Sequence, residues 1–304
     1  MTMKHLLTNV EFLAGGLIVL AFVIVALAAP LISPSVEENP YLIPKDGFSL
    51  VPQPPSPDHL LGTMQNQYDV LYGLVWGTRT ALRVGLMITL GRALVGVIVG
   101  IVSGYFGGWL DSILMRITDA FLAFPTVAAV VVILAMFGGG SSGIQTGNTT
   151  QLIILGLTSF GWMQYARLMR GNVLTQRSRE YVKAAISIGA GDGRIIFRHV
   201  LPNATQGLFV LIASDVGAMV VTVAALTFIG FAGSEVMADW GVMLQYSRNW
   251  IIGSPANAFE FWYTYLLPSG AIVLFSIGWG LIGDGLRDVT DPRRRTVRRS
   301  RSQY

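Results

Sequence analysis

An all-α, polytopic membrane fold is predicted for this 304-residue chain by three observations. Hydrophobic residues make up 52% of it and charged residues only 12%. The mean hydropathy is +0.57, and six apolar runs are each long enough to cross a hydrocarbon layer as a helix. Soluble domains carry about twice that share of charge, so a soluble enzyme is excluded. Cysteine is absent, and His5, His59 and His199 are scattered, which removes disulfide frameworks and thiolate or histidine-cluster metal chemistry.

The runs follow in order. The first, Val10 to Ile32, contains Ala26-Leu27-Ala28, a small-residue pattern of the kind found at leader cleavage sites. The apolar run continues past it to Ile32 behind a thin charged region, so a retained N-terminal span over 1–33 is expected. Seven of the 13 prolines then fall between Pro34 and Pro57, which marks 34–77 as an external Pro-rich loop with an amphipathic segment. The second run is about Thr80 to Tyr105 and the third about Ile113 to Phe137. Tyr105-Phe106-Gly107-Gly108-Trp109 between them predicts a tight turn, and Phe124-Pro125 a kink. The remaining runs are about Gln151 to Met169, Thr205 to Phe231 and Tyr265 to Ile282, closing a core over 78–288. A basic tail, 289–304, follows. Gly138 to Thr150 is a flexible polar connection without the strand and helix of a nucleotide loop.

Orientation follows from the cations, because Lys and Arg near span ends stay in the cytoplasm. With both termini inside, 16 of the 21 lie in cytoplasmic segments, six of them in the tail from Arg293 to Arg301. Arg79 and Arg83, at the outer end of the second run, oppose the bias. Such a tail after a span points to anionic lipid rather than nucleic acid.

Two features are too polar for their setting. One is the cytoplasmic stretch EYVKAAISIGAGDGRIIFRHVLPN, Glu180 to Asn203. Here Glu180 to Ile188 predict a helix on which Ala184 and Ala185 allow close approach, and Gly189 to Gly191 end it. Asp192 is placed as the N-cap of a second short helix with Ile195, Ile196, Val200 and Leu201 on one side, and Pro202 opens the turn towards the fifth run. The residues alone leave open a plain solvated basic loop. The other feature is Arg92 with Asp215, ionisable groups inside spans, which either line a pathway or pair with each other. Glu235, Asp239 and Trp240 sit in the outer loop after the fifth run, as surface for a delivery partner or as solvated residues. No Gly-rich loop ending in Gly-Lys-Ser/Thr is present, so ATP hydrolysis by this chain is not expected.

The 180–203 stretch resembles the cytoplasmic signature loop of binding-protein-dependent ABC importer permeases. Ala184, Ala185, Gly189, Leu201 and Pro202 fall at matching positions, whereas Lys183 stands where that family has Glu and His199 where it has an aliphatic residue. HLLGT (His59 to Thr63), DVLYGLVWGTRTALRVG (Asp69 to Gly85) and SGYFGGWLDSILMRITDAFLAFPT (Ser103 to Thr126) extend the likeness over most of the chain. YARLMRGNVL (Tyr165 to Leu174) and GDGLRDVTDPR (Gly283 to Arg293) complete it. Together they are similar to the oligopeptide/dipeptide C-subunit type. Departures are GTMQNQYD before Asp69 and Val223 where Glu is common.

The resemblance implies a type I ABC importer permease fold in the inner membrane of a prokaryote. It further implies a heterodimer with a homologous second permease, two ATPase subunits that bind ATP and Mg, and an extracytoplasmic substrate-binding protein. The loop 176–203 would be the coupling element, with Glu180, Lys183, Ala184, Ala185, Gly189, Asp192, Leu201 and Pro202 at the ATPase contact. Dipeptides or oligopeptides are the implied cargo, with nickel chelates, glutathione or oligosaccharides as alternatives. The alternative from another class is an ATP-independent secondary transporter or channel, which calls for more midplane carboxylates than Asp215.

Overall fold

A computed structural model describes residues 8–35, 38–137, 149–231, 236–252, 257 and 259–290. These residues are nearly all helical, and the extended pairing among them is confined to the isolated bridges Leu42–Met237, Lys45–Tyr68 and Thr63–Asp69. Glu235, most of the 138–150 connection and the basic tail from 291 lie outside the described residues.

Helix α1 covers Val10–Ile32, the bounds expected from hydropathy. It starts where the Asn9 side chain accepts the Phe12 N–H at 3.0 Å. Leu13, Leu17, Leu20, Ile24, Leu27 and Leu31 form an exposed stripe suited to lipid. Helix α2, Val70–Phe106, has 37 residues rather than the expected 26, and Asp69 caps it by accepting the Tyr72 N–H at 2.6 Å. At 1.5 Å per residue it is about 55 Å long, against a hydrocarbon layer of about 30 Å. The helix is therefore longer than the hydrocarbon layer is thick. Arg79 and Arg83 lie in its first half, and the Arg79 guanidinium lies 5.0 Å from the Trp76 ring.

Gly107 and Gly108, with φ of +68° and +59°, make the expected reversal into α3, Gly108–Leu122. Helix α4, Thr126–Phe137, follows at 76° to it, with Pro125 in the break. The fourth expected run is realised as two helices, α5 over Thr149–Ser159 and α6 over Met163–Arg177, parted at Phe160–Trp162. The two breaks lie side by side: the Thr126 hydroxyl donates to the Phe160 carbonyl at 2.9 Å, and Phe121 packs on Phe160 and Trp162.

Beyond the 180–203 loop, whose short elements α7 to α9 are given below, come α10, Leu208–Ile229, α11, Trp240–Ile252, and α12, Trp262–Thr290. Helices α1, α2, α10 and α12 are long and apolar enough to cross a membrane, and the α3–α4 pair, bent by 76°, has the length and composition of a broken span or a re-entrant loop. The divided α5–α6 stretch is compatible with a further crossing. Helix α12 packs between α1 and α10: a Cβ on Gly15 would meet the Gly278 carbonyl at 2.6 Å, and one on Gly217 would meet Ser276 at 3.0 Å.

The Pro-rich segment forms a packed cap over the outer ends of α2 and α11. The Ile43 N–H bonds the Val236 carbonyl, the Ala238 N–H bonds the Tyr41 carbonyl, and Trp76 Nε1 donates to Ser33. His59 is held between Asp69 at 2.9 Å and Asp46 at 3.5 Å. Asp239 and Trp240 belong to this packing rather than to an open outer surface. Trp240 is 2% exposed, and one Asp239 carboxylate oxygen takes hydrogen bonds from Thr227, Gly241 and Val242, capping α11. Burial raises the Asp239 pKa despite those donors.

Candidate coupling surface and intramembrane polar cluster

Helix α2 meets α6 along one line. Gly96, Gly100 and Gly104 recur every four residues and so share a face. An added Cβ would meet the Trp162 carbonyl at 2.5 Å, the Ala166 carbonyl at 2.6 Å and the Arg170 carbonyl at 2.9 Å respectively. Backbone touches backbone here, the arrangement that small residues at four-residue spacing permit in membrane helices. This stripe was readable in the sequence as Gly-x3-Gly-x3-Gly, a signal missed among 35 glycines.

Arg92 is one helical step outward on the same face. It sits opposite the α5–α6 break, where the Leu157 carbonyl loses the donor that an unbroken helix would supply. Arg92 Nε donates to that carbonyl at 2.8 Å, and Nη1 donates to both Asp215 carboxylate oxygens at 3.3 and 3.4 Å. The Tyr165 hydroxyl, from α6, donates to Asp215 Oδ2 at 3.0 Å. Gly161 leaves the space: a Cβ there would strike the guanidinium. Arg92 and Asp215, for which the sequence left a pathway or a mutual pair open, do pair across α2 and α10, with side chains 6% and 15% exposed. Tyr165 and the Leu157 carbonyl were not foreseen, because nothing local marks them.

The 180–203 loop is compact. Helix α7 covers Glu180–Ser187, and Gly189 closes it at φ +79°. The Gly189 N–H bonds the Ile186 carbonyl and the Ala190 N–H bonds the Ala185 carbonyl, a Schellman closure. Beyond it come α8, Asp192–Arg194, a π-helical turn over Ile195–Val200, and α9, Leu201–Ala204, with exposed Pro202 in its first turn.

The two alanines part company. Ala184 is exposed, but Ala185 is 6% exposed and packs with Val182, Ile195, Ile196 and Val200, while Leu201 lies against the same cluster. The expectation of two adjacent surface alanines is corrected by helical spacing, which puts Val182 and Ala185 on one inward face. Asp192 is not an N-cap either. Gly191, in extended conformation, takes that position, and Asp192 is the first helical residue. Its carboxylate instead accepts the Tyr105 hydroxyl at 2.7 Å. Glu180 and Lys183 pair at 3.0 Å on the exposed face, a contact of little energetic weight.

The loop is tied back to the helices flanking it. Asn172 Nδ2 of α6 donates to the Ala204 and Gln206 carbonyls. A bidentate fork from Arg170 holds Asp111 of α3 at 2.6 and 2.7 Å, and Ser103 of α2 adds a hydroxyl to the same carboxylate. What emerges is a smooth exposed ridge of Glu180, Lys183, Ala184, Ser187 and Gly189, set on a small apolar core.

Comparison with known proteins agrees with this geometry. Residues 96–296 match the family model described as binding-protein-dependent transport system inner membrane component. The chain is 31% identical over 280 residues to the glutathione transport system permease protein GsiD of Pectobacterium atrosepticum, covering 92% of this chain and 86% of that protein. It is 33% identical over 292 residues to the dipeptide transport system permease protein DppC of Alkalihalophilus pseudofirmus, covering 95% and 88%. In fold it is similar to the solved structure titled "Crystal structure of an amino acid ABC transporter with histidines", with a TM-score of 0.50 over 71% of this chain and 93% of that one, at 13% identity. With the family match spanning most of the chain and the relatives covered over nine-tenths of it, the chain belongs to the family of binding-protein-dependent transport system inner membrane components, the permease subunits of ABC importers.

Proposed function

We propose that this permease imports small peptides, of the dipeptide or glutathione class. The observation that carries this reading is the likeness, across more than nine-tenths of the chain, to permeases named for dipeptide and glutathione transport. In this reading the region 78–288 forms half of a translocation pathway beside a homologous second permease. An extracytoplasmic binding protein delivers cargo to the outer mouth beside the 34–77 cap. Both termini are cytoplasmic, and the basic tail 289–304 rests on anionic lipid.

The energy comes from two ATPase subunits, which hold ATP and Mg; this chain supplies only the surface they press on. Glu180, Lys183, Ala184 and Gly189 form that surface. Ala185, Leu201 and Pro202 hold it in shape from beneath and behind. Arg92 and Asp215 hold the α5–α6 break rather than presenting free charge to the pathway, because each is already engaged.

The test is Ala184→Trp in the complex reconstituted with its second permease, ATPase subunits and binding protein. A Trp on the exposed ridge is expected to prevent co-purification of the ATPase subunits and to abolish uptake of labelled dialanine and labelled glutathione. The two permeases should stay associated. ATPase capture and uptake at parental levels would overturn the coupling assignment.

A further inference from the structure

Resting on the coupling reading above, we infer that Tyr105 is a positioning residue that makes α2 move with the cytoplasmic loop. The loop is joined covalently to α6 at one end and, through α9, to α10 at the other. It has no covalent junction with α2. Among the described residues, α2 makes its side-chain hydrogen bond to the loop through the Tyr105 hydroxyl, which donates to Asp192 at 2.7 Å.

Three further features make the contact a firm one. The Tyr105 ring is 5% exposed and belongs to the apolar cluster that holds Val182, Ala185, Ile195, Ile196 and Val200 of the loop together with Met169 and Val173 of α6. The Arg177 guanidinium, from the last turn of α6, lies over that ring at 5.6 Å. Asp192 opens the run of α8, π-helical turn and α9, so its acceptor stands on the helical part of the loop.

The mechanical consequence follows from α2 itself. It is a continuous helix of 37 residues without an interior proline, and it carries Arg92 about 20 Å from Tyr105 on the rise per residue. A displacement of the loop against the inner end of α2 is therefore delivered to the helix that holds the α5–α6 break. Hydroxyl and ring have separable parts: the ring packs, and the hydroxyl fixes the direction in which the loop pulls.

The experiment separates this from docking. Tyr105→Phe keeps the ring and removes the hydroxyl; Asp192→Leu keeps the size and removes both acceptor oxygens. Each is reconstituted with the full set of subunits, and uptake of labelled dialanine and glutathione is divided by ATP hydrolysed in the same vesicles. ATPase subunits should co-purify with both variants at the parental ratio, unlike with Ala184→Trp. Uptake per ATP is expected to fall at least threefold in each single variant, and no further in the double. Parental uptake per ATP in both singles overturns the inference, as does a double variant that falls by the product of the two. Loss of ATPase co-purification in Tyr105→Phe overturns it too, by making the residue part of docking. If Ala184→Trp retains the ATPase subunits, it is the coupling reading itself that fails.

Discussion

Glycine is used for opposite reasons at the α2–α6 contact and in the cytoplasmic loop. Gly96, Gly100 and Gly104 have ordinary helical backbones, and what they provide is absence of a side chain, since the facing carbonyls lie where a Cβ would go. Gly189 has open space around it, and what it provides is a left-handed φ of +79°. The first kind of site belongs to assembly of the membrane bundle. The second belongs to the shape of a surface. The difference teaches that damage in the bundle spreads through rigid helices, whereas damage in the loop stays local.

The largest expected effect tests the bundle. Alanine at Gly100 raises helix propensity by about 1 kcal/mol, but overpacking against a backbone that cannot yield costs about 1–3 kcal/mol. Gly100→Ala should therefore lower the unfolding temperature of the purified protein in detergent, and Gly100→Leu should prevent folded protein from accumulating. An unchanged unfolding temperature in Gly96→Ala and Gly100→Ala together would show that α2 and α6 are not so closely apposed.

The polar cluster beside that stripe ranks below Gly100→Leu, although breaking it outweighs the net cost of Gly100→Ala. Arg92→Leu strands both Asp215 and the Leu157 carbonyl, and breaking a buried pair from one side costs about 3–5 kcal/mol. Adding Asp215→Leu should restore part of the lost stability, measured by thermal unfolding of the four proteins in a double-mutant cycle. Strictly additive losses would mean the two residues act independently, and the contrast between bundle and loop would then have to exclude them.

The smallest effect on stability lies in the loop. Gly189→Ala pays only for the left-handed conformation, about 1 kcal/mol, and Gly189→Asn less, because Asn tolerates it. Limited proteolysis should show faster cleavage near Ile188 in Gly189→Ala, with the unfolding temperature of the spans unmoved. A drop in that temperature as large as the one for Gly100→Ala would erase the distinction between the two regions.

Much of this was legible from residues near each other in the chain. The bounds of α1, the reversal at Gly107-Gly108, the break at Pro125 and the end of α7 at Gly189 each follow from hydropathy or from one residue's own backbone preferences. The inward turn of Ala185 was legible too, from its spacing with Val182, although pairing it with Ala184 as surface obscured it. The division at Phe160–Trp162 was not read, because that segment carries no proline and Ser159 and Gly161 beside the break are a weak signal; its freed carbonyl is met by Arg92, 65 residues away.

By itself, then, the sequence determined the class, most of the apolar helices and the polar character of the 180–203 loop, since these depend on composition and on preferences acting within a few residues. Only the tertiary structure decided that Arg92 meets Asp215, 123 positions distant, and that Asp192 bonds Tyr105 across 87 positions rather than capping its own helix. The physical reason is that a charged or hydroxyl group in apolar surroundings must find a partner, while the choice of partner is set by which helix backbones can approach. That approach depends on the matching of two surfaces, here a glycine face on α2 and the carbonyls of α6, and neither surface carries the other's position in its own residues.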